Sequence, residues 1–307
     1  MIKSLKLKIK KQEFDFNAEE ISELNRDINM NIIENYSYLE NKPFREIHRN
    51  NVKFNVLYDP DRINFWKKYE VNKWENETIE IIERYISNET YFIDIGAWIG
   101  PITLYASKFA SKVIAFEPDP VAFSILKKNV DLNKNSEFYE KINLNQIAVT
   151  SKEEGSINIY SSELGGSGTS IILDNKFEKV LVDSISLSNV FKKFNLNNEK
   201  LLIKIDVEGY EYELLKNNLD LIKNLNCNLY FSLHPKNLIK QIYGNHKNKL
   251  NGIFFYIMIY IKLIRKLPFK FILVNSKKIS ISKLILKSIL YGIPDEVHIF
   301  CTNKIIK

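Results

Sequence analysis

The chain has only two cysteines, Cys227 and Cys301, among its 307 residues, and both lie in apolar segments. A disulfide framework or a thiolate zinc site would need more cysteines at closer spacing, so we expect two buried thiols. An apolar run at residues 253–261 ends before Lys262 and is shorter than the about 20 residues that cross a bilayer. These shortages exclude a disulfide-stabilised scaffold and predict no transmembrane segment, although a helix lying on a membrane surface stays open.

The first ten residues alternate lysine with aliphatic residues and lack the continuous apolar core of a secretory signal peptide, so we expect a cytoplasmic protein. The net charge is +7, from 44 basic and 37 acidic residues that are interspersed along the chain. Nucleic-acid binding would call for a continuous basic stripe with stacking aromatic residues. We therefore expect no nucleic-acid partner.

The most informative segment runs from residue 91 to residue 117, as an apolar strand, a glycine turn, a helix and a second strand ending in Glu117. Gly96 and Gly100 let the backbone approach a ligand, and a carboxylate at the tip of the second strand can accept both hydroxyls of a ribose. The spacing lacks the middle glycine of a dinucleotide fingerprint and carries Asp94 two residues before the first glycine, which disfavours a pyrophosphate. The pattern predicts binding of S-adenosylmethionine, which has a ribose and cationic groups and no phosphate. The alternatives are a turn without ligand and a helix-capping role for Glu117.

Strand and helix patterns then alternate, which predicts an α/β fold with a parallel sheet and helices on both faces. We expect strands at 91–95, 112–116, 142–149, 201–207, 227–233, 269–274 and 297–302. Residues 155–183 form an insertion whose glycine-rich loop could close over a substrate or be a plain surface connection. We expect an N-terminal accessory region at 1–72, with a helix from Asn17 and a strand near 51–58, and one domain at 73–307.

Two strand tips carry groups that could act on an acceptor. In an extended strand Lys204, Asp206 and Glu208 share one face, and Pro235 leaves His234 at the tip of the following strand. A hydroxyl acceptor needs a base or a metal ion to remove its proton, and these carboxylates and the imidazole could supply either. A divalent metal therefore stays open, and so does a structural ion-pair network with Lys204.

These segments together resemble the FkbM family of S-adenosylmethionine-dependent methyltransferases. The matching pieces are Trp74–Thr78, Phe92–Gly100, Ala115–Asp119, Ile205–Gly209 and Leu233–Pro235. The resemblance implies a Rossmann-like seven-stranded methyltransferase sheet and O-methylation of sugar hydroxyls and natural products. It places the cofactor at Asp94, Gly96, Ala97, Gly100, Glu117 and Pro118, and it implies that Asp206 and Glu208 lie beside the transferred methyl. The family usually has Asn where this chain has Trp98, and an aromatic or small residue at Pro101.

The leading hypothesis is an O-methyltransferase for a saccharide or related polar small molecule, with Asp206, Glu208 and His234 as catalytic residues. A nucleic-acid methyltransferase is the first alternative, but the Asn/Asp-Pro-Pro-aromatic signature is absent and neither cysteine follows a proline. The second alternative is a non-catalytic protein that binds a nucleoside or a membrane surface.

Overall fold

The computed structural model describes residues 5–9, 12–16, 44–152, 155–171, 178–243, 249–274 and 294–303. Its strands, in chain order, are β1 (Leu5–Ile9), β2 (Gln12–Phe16), β3 (Phe44–Arg49), β4 (Val52–Leu57), β5 (Thr90–Ile95), β6 (Lys112–Phe116), β7 (Ile142–Asn145), β8 (Ala148–Thr150), β9 (Gly155–Ser161), β10 (Glu178–Ser186), β11 (Lys200–Ile205), β12 (Cys227–Leu233), β13 (Phe271–Val274) and β14 (Val297–Thr302). β1 and β2 form an antiparallel hairpin.

A seven-stranded sheet with the order β13-β14-β12-β11-β5-β6-β7 is the centre of the fold. Its five strands from β12 to β7 are parallel, and β14 and β13 add an antiparallel edge. The predicted Rossmann-like seven-stranded sheet is thereby confirmed. The chain moves from β5 outward to β6 and β7, and then returns to place β11 on the other side of β5. Ligands bind outside the carboxyl ends of strands at such a switch point, between β5 and β11 here.

Helices cover both faces of this sheet. They are α1 (Ile63–Glu70), α2 (Asn76–Tyr85), α3 (Pro101–Ser107), α4 (Pro120–Asp131), α5 (Leu187–Lys193), α6 (Glu211–Lys216), α7 (Leu219–Lys223), α8 (Pro235–Tyr243) and α9 (Lys249–Ile264). Successive strand residues point to opposite faces, so Ile93 and Ile95 pack with α5, α6, α8 and α9, whereas Phe92 packs with α1 to α4. Each face thus has its own hydrophobic core.

The β3-β4 hairpin packs directly on helix α4. The side-chain oxygen of Asn129 accepts a hydrogen bond from Leu57 N at 2.7 Å, and that of Asn133 accepts one from Asn55 N at 2.8 Å. These buried amides satisfy the backbone groups of β4, which would otherwise lack partners. Residues 44–72 therefore share a core with α2 to α4, and the division of the chain at residue 72 stays a prediction.

Two predicted strands end earlier than expected. The segment 142–149 divides into β7 and β8, because β8 leaves the large sheet and pairs parallel with β10, which also pairs antiparallel with β9. The strand predicted to reach residue 207 ends at Ile205. Asp206 N still donates to Ile95 O, but Val207 N and Gly209 N donate to a buried carboxylate described below. The helix predicted from Asn17 lies outside the described residues.

Candidate active site

A cleft of about 220 Å³ opens at the carboxyl ends of β5 and β11. It brings together residues predicted from separate parts of the sequence, and the glycine-rich loop of the insertion lies along its rim. Seven of the nine predicted site residues line it: Gly96, Ala97, Glu117, Pro118, Asp206, Glu208 and His234.

The turn after β5 forms the wall of the cleft on the β6 side. The amides of Gly96 and Ala97 both donate to Phe116 O at 3.0 Å, which ties the turn to the end of β6. Gly96 has a φ of +84°, and a Cβ at this position would lie 1.8 Å from Asp206 O. Only glycine fits there, because the turn after β5 lies directly against the backbone after β11.

Glu117 is a buried carboxylate that joins two backbone segments. Its oxygens accept hydrogen bonds from Trp98 N and Asp119 N, each at 2.8 Å. Burial raises the pKa of Glu117 to about 7, although these two hydrogen bonds oppose the shift. Each carboxylate oxygen has further acceptor capacity, which a ligand hydroxyl in the cleft could use. The cap of α4 is Asp119, which accepts from Val121 N and Ala122 N.

Asp94 and Gly100 lie behind the cleft wall. Asp94 is fully buried, accepts a 2.7 Å hydrogen bond from Thr103 and lies 3.2 Å from Lys204 Nζ. Burial raises the pKa of Asp94, although Lys204 lowers it in part. Gly100 precedes α3 with a φ of +90°, and a Cβ there would come 2.5 Å from Leu126. Both residues support the turn, and a cofactor role for them stays a prediction.

Lys204 joins the two sides of the switch point. It is the register partner of Asp94 on β5, and its ammonium donates to Gly96 O at 3.1 Å and lies 3.6 Å from Asp206 Oδ2. Burial lowers the pKa of Lys204, but Asp94 and Asp206 outweigh this and raise it above its ordinary value. Lys204 therefore stays charged and holds Asp206 at the floor of the cleft.

Glu208 reaches the cleft by a route that strand alternation does not describe. β11 has already ended, and Glu208 adopts a left-handed φ of +52° that is unusual for a residue with a side chain. Ser170 and Asn237 donate to its backbone oxygen at 2.8 and 3.2 Å, and Asn237 also donates to its carboxylate. Burial raises the pKa of Glu208 to about 7, although His234 opposes the shift.

His234 lies among four carboxylates. Its Nδ1 is 2.9 Å from Glu211 Oε1, while Nε2 lies 3.8 Å from Asp206 and 3.7 Å from both Glu208 and Glu296. Burial lowers the pKa of His234, but the carboxylates of Glu211, Asp206 and Glu208 outweigh burial and raise it to about 10. The surrounding acids therefore favour the protonated imidazole, and a catalytic role for His234 stays a prediction.

Three acids of this region were missed by the sequence analysis. Glu211 accepts from Val207 N and Gly209 N at 3.0 Å, and its signal was an acid in the first turn of the helix after a glycine. Glu75 lines the cleft with a left-handed φ of +51°, and its signal was its place in the Trp74–Thr78 segment. Glu296 precedes β14, and nothing local in the sequence links it to His234.

A loop from residue 162 to residue 171, the rim loop, crosses the mouth of the cleft. Gly165 N donates to Asp119 at 2.9 Å, and Gly165 O accepts from the indole of Trp98 at 2.9 Å. Ser170 reaches the backbone of Glu208 on the opposite side. The rim loop is therefore attached to both halves of the cleft. Trp98 also packs edge-on against Phe65, with ring centroids 4.7 Å apart.

Sequence comparison decides the family. The profile of the Methyltransferase FkbM domain matches residues 94–257, more than half of the chain. The chain belongs to the FkbM methyltransferase family. The matched range includes the glycine turn, Glu117, the turn after β11 and His234.

Individual relatives are more distant. The methyltransferase sdnD of Sordaria araneosa is 26% identical over 198 residues, which cover 52% of this chain and 74% of that protein. The crystal structure of Methyltransferase FkbM from Methylobacillus flagellatus KT is 16% identical with a TM-score of 0.41, over 70% of this chain and 44% of that chain. The tRNA m1G37 methyltransferase of M. jannaschii is 15% identical with a TM-score of 0.36, over 87% and 59%. This chain thus spans less than half of the FkbM structure that it matches.

Across the described ranges, no helix is both long enough and apolar enough to cross a bilayer. Helix α9, which contains the apolar run at 253–261, is 16 residues long.

Proposed function

We propose that this FkbM methyltransferase uses S-adenosylmethionine to methylate a hydroxyl of a saccharide or a related polar small molecule. The observation that carries the proposal is one cleft that unites the turn at Gly96 and Glu117 with Asp206, Glu208 and His234. The first group fits a nucleoside, and the second group fits an acceptor that must lose a proton.

The cofactor half of the cleft consists of Gly96, Ala97, Glu117 and Pro118. A missing Cβ at Gly96 leaves backbone open to a ligand, and Glu117 offers further acceptor capacity to the two hydroxyls of a ribose. The cofactor would supply a methyl group on a sulfonium, which is an electrophile. Its cationic methionine end suits the neighbouring carboxylate of Glu75, which lines the same cleft.

The acceptor half of the cleft, where the methylated molecule would bind, also supplies the carboxylate that takes its proton. Bound S-adenosylmethionine would supply the methyl group, with a C–O bond formed and its C–S bond broken, and a carboxylate of the cleft would take the hydroxyl proton. Glu208 suits this step, because burial holds its pKa at about 7, near the working pH that favours general-base catalysis. Asp206 lies beside it, fixed by Lys204, and can accept a hydrogen bond from the acceptor. His234 lies beside both of these carboxylates and keeps them in place.

The rim loop sets access to the cleft. The cleft of about 220 Å³ is smaller than the about 300–1,000 Å³ of common ligand pockets, and the rim loop crosses its mouth. We expect a nucleoside to enter as the rim loop moves away from Trp98 and Asp119. Such closure would exclude water from the reacting groups.

The acidic residues of the cleft also favour a polyol as the acceptor over a nucleic acid. Carboxylates at Glu75, Asp206, Glu208 and Glu296 line the cleft and would repel the phosphates of a nucleic acid. The same oxygens accept hydrogen bonds from a polyol. Both considerations support a sugar hydroxyl and disfavour a base in DNA or RNA.

Mass spectrometry of products tests the proposal. The protein is incubated with S-adenosylmethionine carrying a labelled methyl group, in parallel with glycan pools and with nucleic-acid pools. We expect the label on oxygen of a saccharide and none on nucleic-acid bases. Methylated bases with unlabelled saccharides would contradict the acceptor class. Calorimetry that detects no binding of S-adenosylhomocysteine would contradict the cofactor assignment.

A further inference from the structure

We propose that the acceptor half of the cleft contains a site for a divalent first-row transition-metal ion, of which Mn²⁺ is the representative, ligated by Asp206, His234 and Glu296. One ligand atom from each residue lies within 4.8 Å of the other two. These residues come from the ends of β11 and β12 and from the start of β14, so three neighbouring strands bring them together.

The spacing around His234 Nε2 is the first argument. Asp206 Oδ1 lies 3.8 Å away and Glu296 Oε1 lies 3.7 Å away, both beyond hydrogen-bond range. Two ligands at about 2.1 Å from one octahedral ion are roughly 3.0 Å apart when adjacent and roughly 4.2 Å apart when opposite. Both separations from His234 fall between these values, and the Asp206 and Glu296 ligand atoms lie within 4.8 Å of each other. A direct hydrogen bond from Nε2 to either carboxylate would be shorter than these separations, so they leave room for an ion between the groups.

The orientation of the imidazole is the second argument. Its Nδ1 is engaged at 2.9 Å by Glu211, whose side chain is 1% exposed. Metal-binding histidines usually donate their other ring N–H to a carboxylate in this way, which fixes the tautomer and turns the free nitrogen toward the metal. Glu211 is itself fixed by Val207 N and Gly209 N. The ring is therefore held with Nε2 directed at Asp206 and Glu296.

The charge around the ring is the third argument. Four carboxylates, those of Asp206, Glu208, Glu211 and Glu296, lie within 3.8 Å of His234 nitrogens. Lys204 is shared between Asp206 and the buried Asp94, and the nearest other imidazole, that of His298, lies 3.6 Å from Glu296. Partly buried carboxylates in excess of their cations are costly, and a divalent ion would offset that cost.

The ligand types select the class of ion. Mg²⁺ and Ca²⁺ prefer oxygen ligands alone, whereas one imidazole with two carboxylates suits a first-row transition ion. Three protein ligands leave coordination positions directed into the cleft. If the proposed function holds, an acceptor hydroxyl bound at one of them would have a lowered pKa, and Glu208 outside the ligand set would take the proton. The presence of the site does not depend on that function.

Electron paramagnetic resonance of free Mn²⁺ tests the site without cofactor or acceptor. The native protein is titrated with Mn²⁺ beside Glu296→Gln and beside Asp295→Asn, a matched control at a side chain that is 87% exposed. We expect one Mn²⁺ per native chain, an affinity at least about 10-fold lower in Glu296→Gln, and a change below about twofold in Asp295→Asn. Circular dichroism confirms that each variant is folded.

No loss of the free Mn²⁺ signal with native protein overturns the proposal. Equal binding by native protein and Glu296→Gln also overturns it, since the ion would then lie elsewhere. Binding of S-adenosylhomocysteine, measured by calorimetry in excess chelator, separates the two proposals. Intact cofactor binding with a failed Mn²⁺ titration counts against the ion alone. Intact Mn²⁺ binding without cofactor binding counts against the proposed function.

Discussion

The two halves of the cleft are built in different ways. The cofactor half is mostly backbone, with Gly96 and Ala97 bonded to Phe116 O and one buried carboxylate, Glu117, joining two turns. The acceptor half is mostly side chains, with His234 facing acids from three separate segments. Backbone geometry fixes one shape for one cofactor. Side chains on a stable frame can be exchanged, so the same frame can serve different acceptors.

Lys204 and the rim loop couple these halves. Lys204 Nζ bonds to Gly96 O on the cofactor side and lies 3.6 Å from Asp206 on the acceptor side. The rim loop bonds to Asp119 and Trp98 on one side and to Glu208 on the other. Substitutions in the acceptor half should therefore affect mainly turnover, and those in the cofactor half mainly cofactor binding. Substitutions at Lys204 or in the rim loop should affect both.

The largest effect is expected from Asp206→Asn in the acceptor half. The change removes the charge beside the transferred proton and keeps the shape, so turnover should fall by roughly 10²–10⁴-fold. Affinity for S-adenosylhomocysteine should change by less than about threefold, because the group acts at the acceptor. Steady-state kinetics and calorimetry measure the two quantities. Asp220→Asn, at an exposed position of α7, is the control, and normal turnover in Asp206→Asn would contradict the assigned role.

The next largest effect is expected from Gly96→Ala in the cofactor half. A Cβ would meet Asp206 O at 1.8 Å, so the turn must shift and the φ of +84° becomes strained. We expect a loss of about 3 kcal/mol in the free energy of unfolding and a loss of at least roughly 100-fold in cofactor affinity. Urea denaturation and calorimetry measure these losses. Gly168→Ala, with no heavy atom within 4 Å of its Cβ, should change neither, and equal behaviour would refute the tight contact.

Sequence reasoning predicted most of the residues on this side of the cleft, because they follow one another along the chain. Gly96 and Glu117 belong to one strand–turn–helix–strand unit, and their separation in the sequence determines their separation in space. It did not show that Asp94 lies behind the wall, where Thr103 and Lys204 contact it. The alternation of residues along β5 and β11 predicts which face of the sheet a side chain lies on. It does not predict whether a ligand or the hydrophobic core covers that face.

The acceptor half was predicted only in part. Asp206 and His234 were found because each ends a parallel strand, a local feature. Glu296 was missed because β14 is antiparallel to β12, so the start of that strand, not its end, reaches the cleft. Glu208 was found on an argument about strand faces that fails after Ile205, since its left-handed φ directs the side chain. Pairing between distant segments carries no local signal in one sequence.

A smaller effect is expected from pH, and it distinguishes Glu117 from Glu208, two buried carboxylates whose pKa values are both raised to about 7. Burial raises the pKa of Glu117 to about 7, and ribose hydroxyls favour its ionised form, so protonation competes with the cofactor. Affinity for S-adenosylhomocysteine should be full above pH 7 and fall by about tenfold for each pH unit below it.

Glu117→Gln should remove this pH dependence and weaken binding at about pH 8 by roughly 10–150-fold, the value of a charge-assisted hydrogen bond of about 1.5–3 kcal/mol. Glu208→Gln should keep the cofactor profile and alter the pH profile of turnover instead. Glu137→Gln, at an exposed position, is the control. A flat cofactor profile in the native protein would remove Glu117 from the ribose site.

The smallest effect is expected at the coupling between the halves. Trp98→Phe keeps a ring against Phe65 and removes the indole N–H that donates to Gly165 O at 2.9 Å. One such hydrogen bond contributes about 0.5–1.5 kcal/mol, so the rim loop should open roughly 2–10 times more often. Hydrogen exchange at Gly165 N, which donates to Asp119, measures this opening directly.

Trp66→Phe, which alters the same aromatic cluster beside Phe54, is the matched control and should lower global stability without a selective change at Gly165. Unchanged exchange in Trp98→Phe would mean that the bonds to Asp119, Arg62 and Glu208 hold the rim loop without the indole. The residue that is unusual for the family at this turn would then shape the cleft without controlling its access.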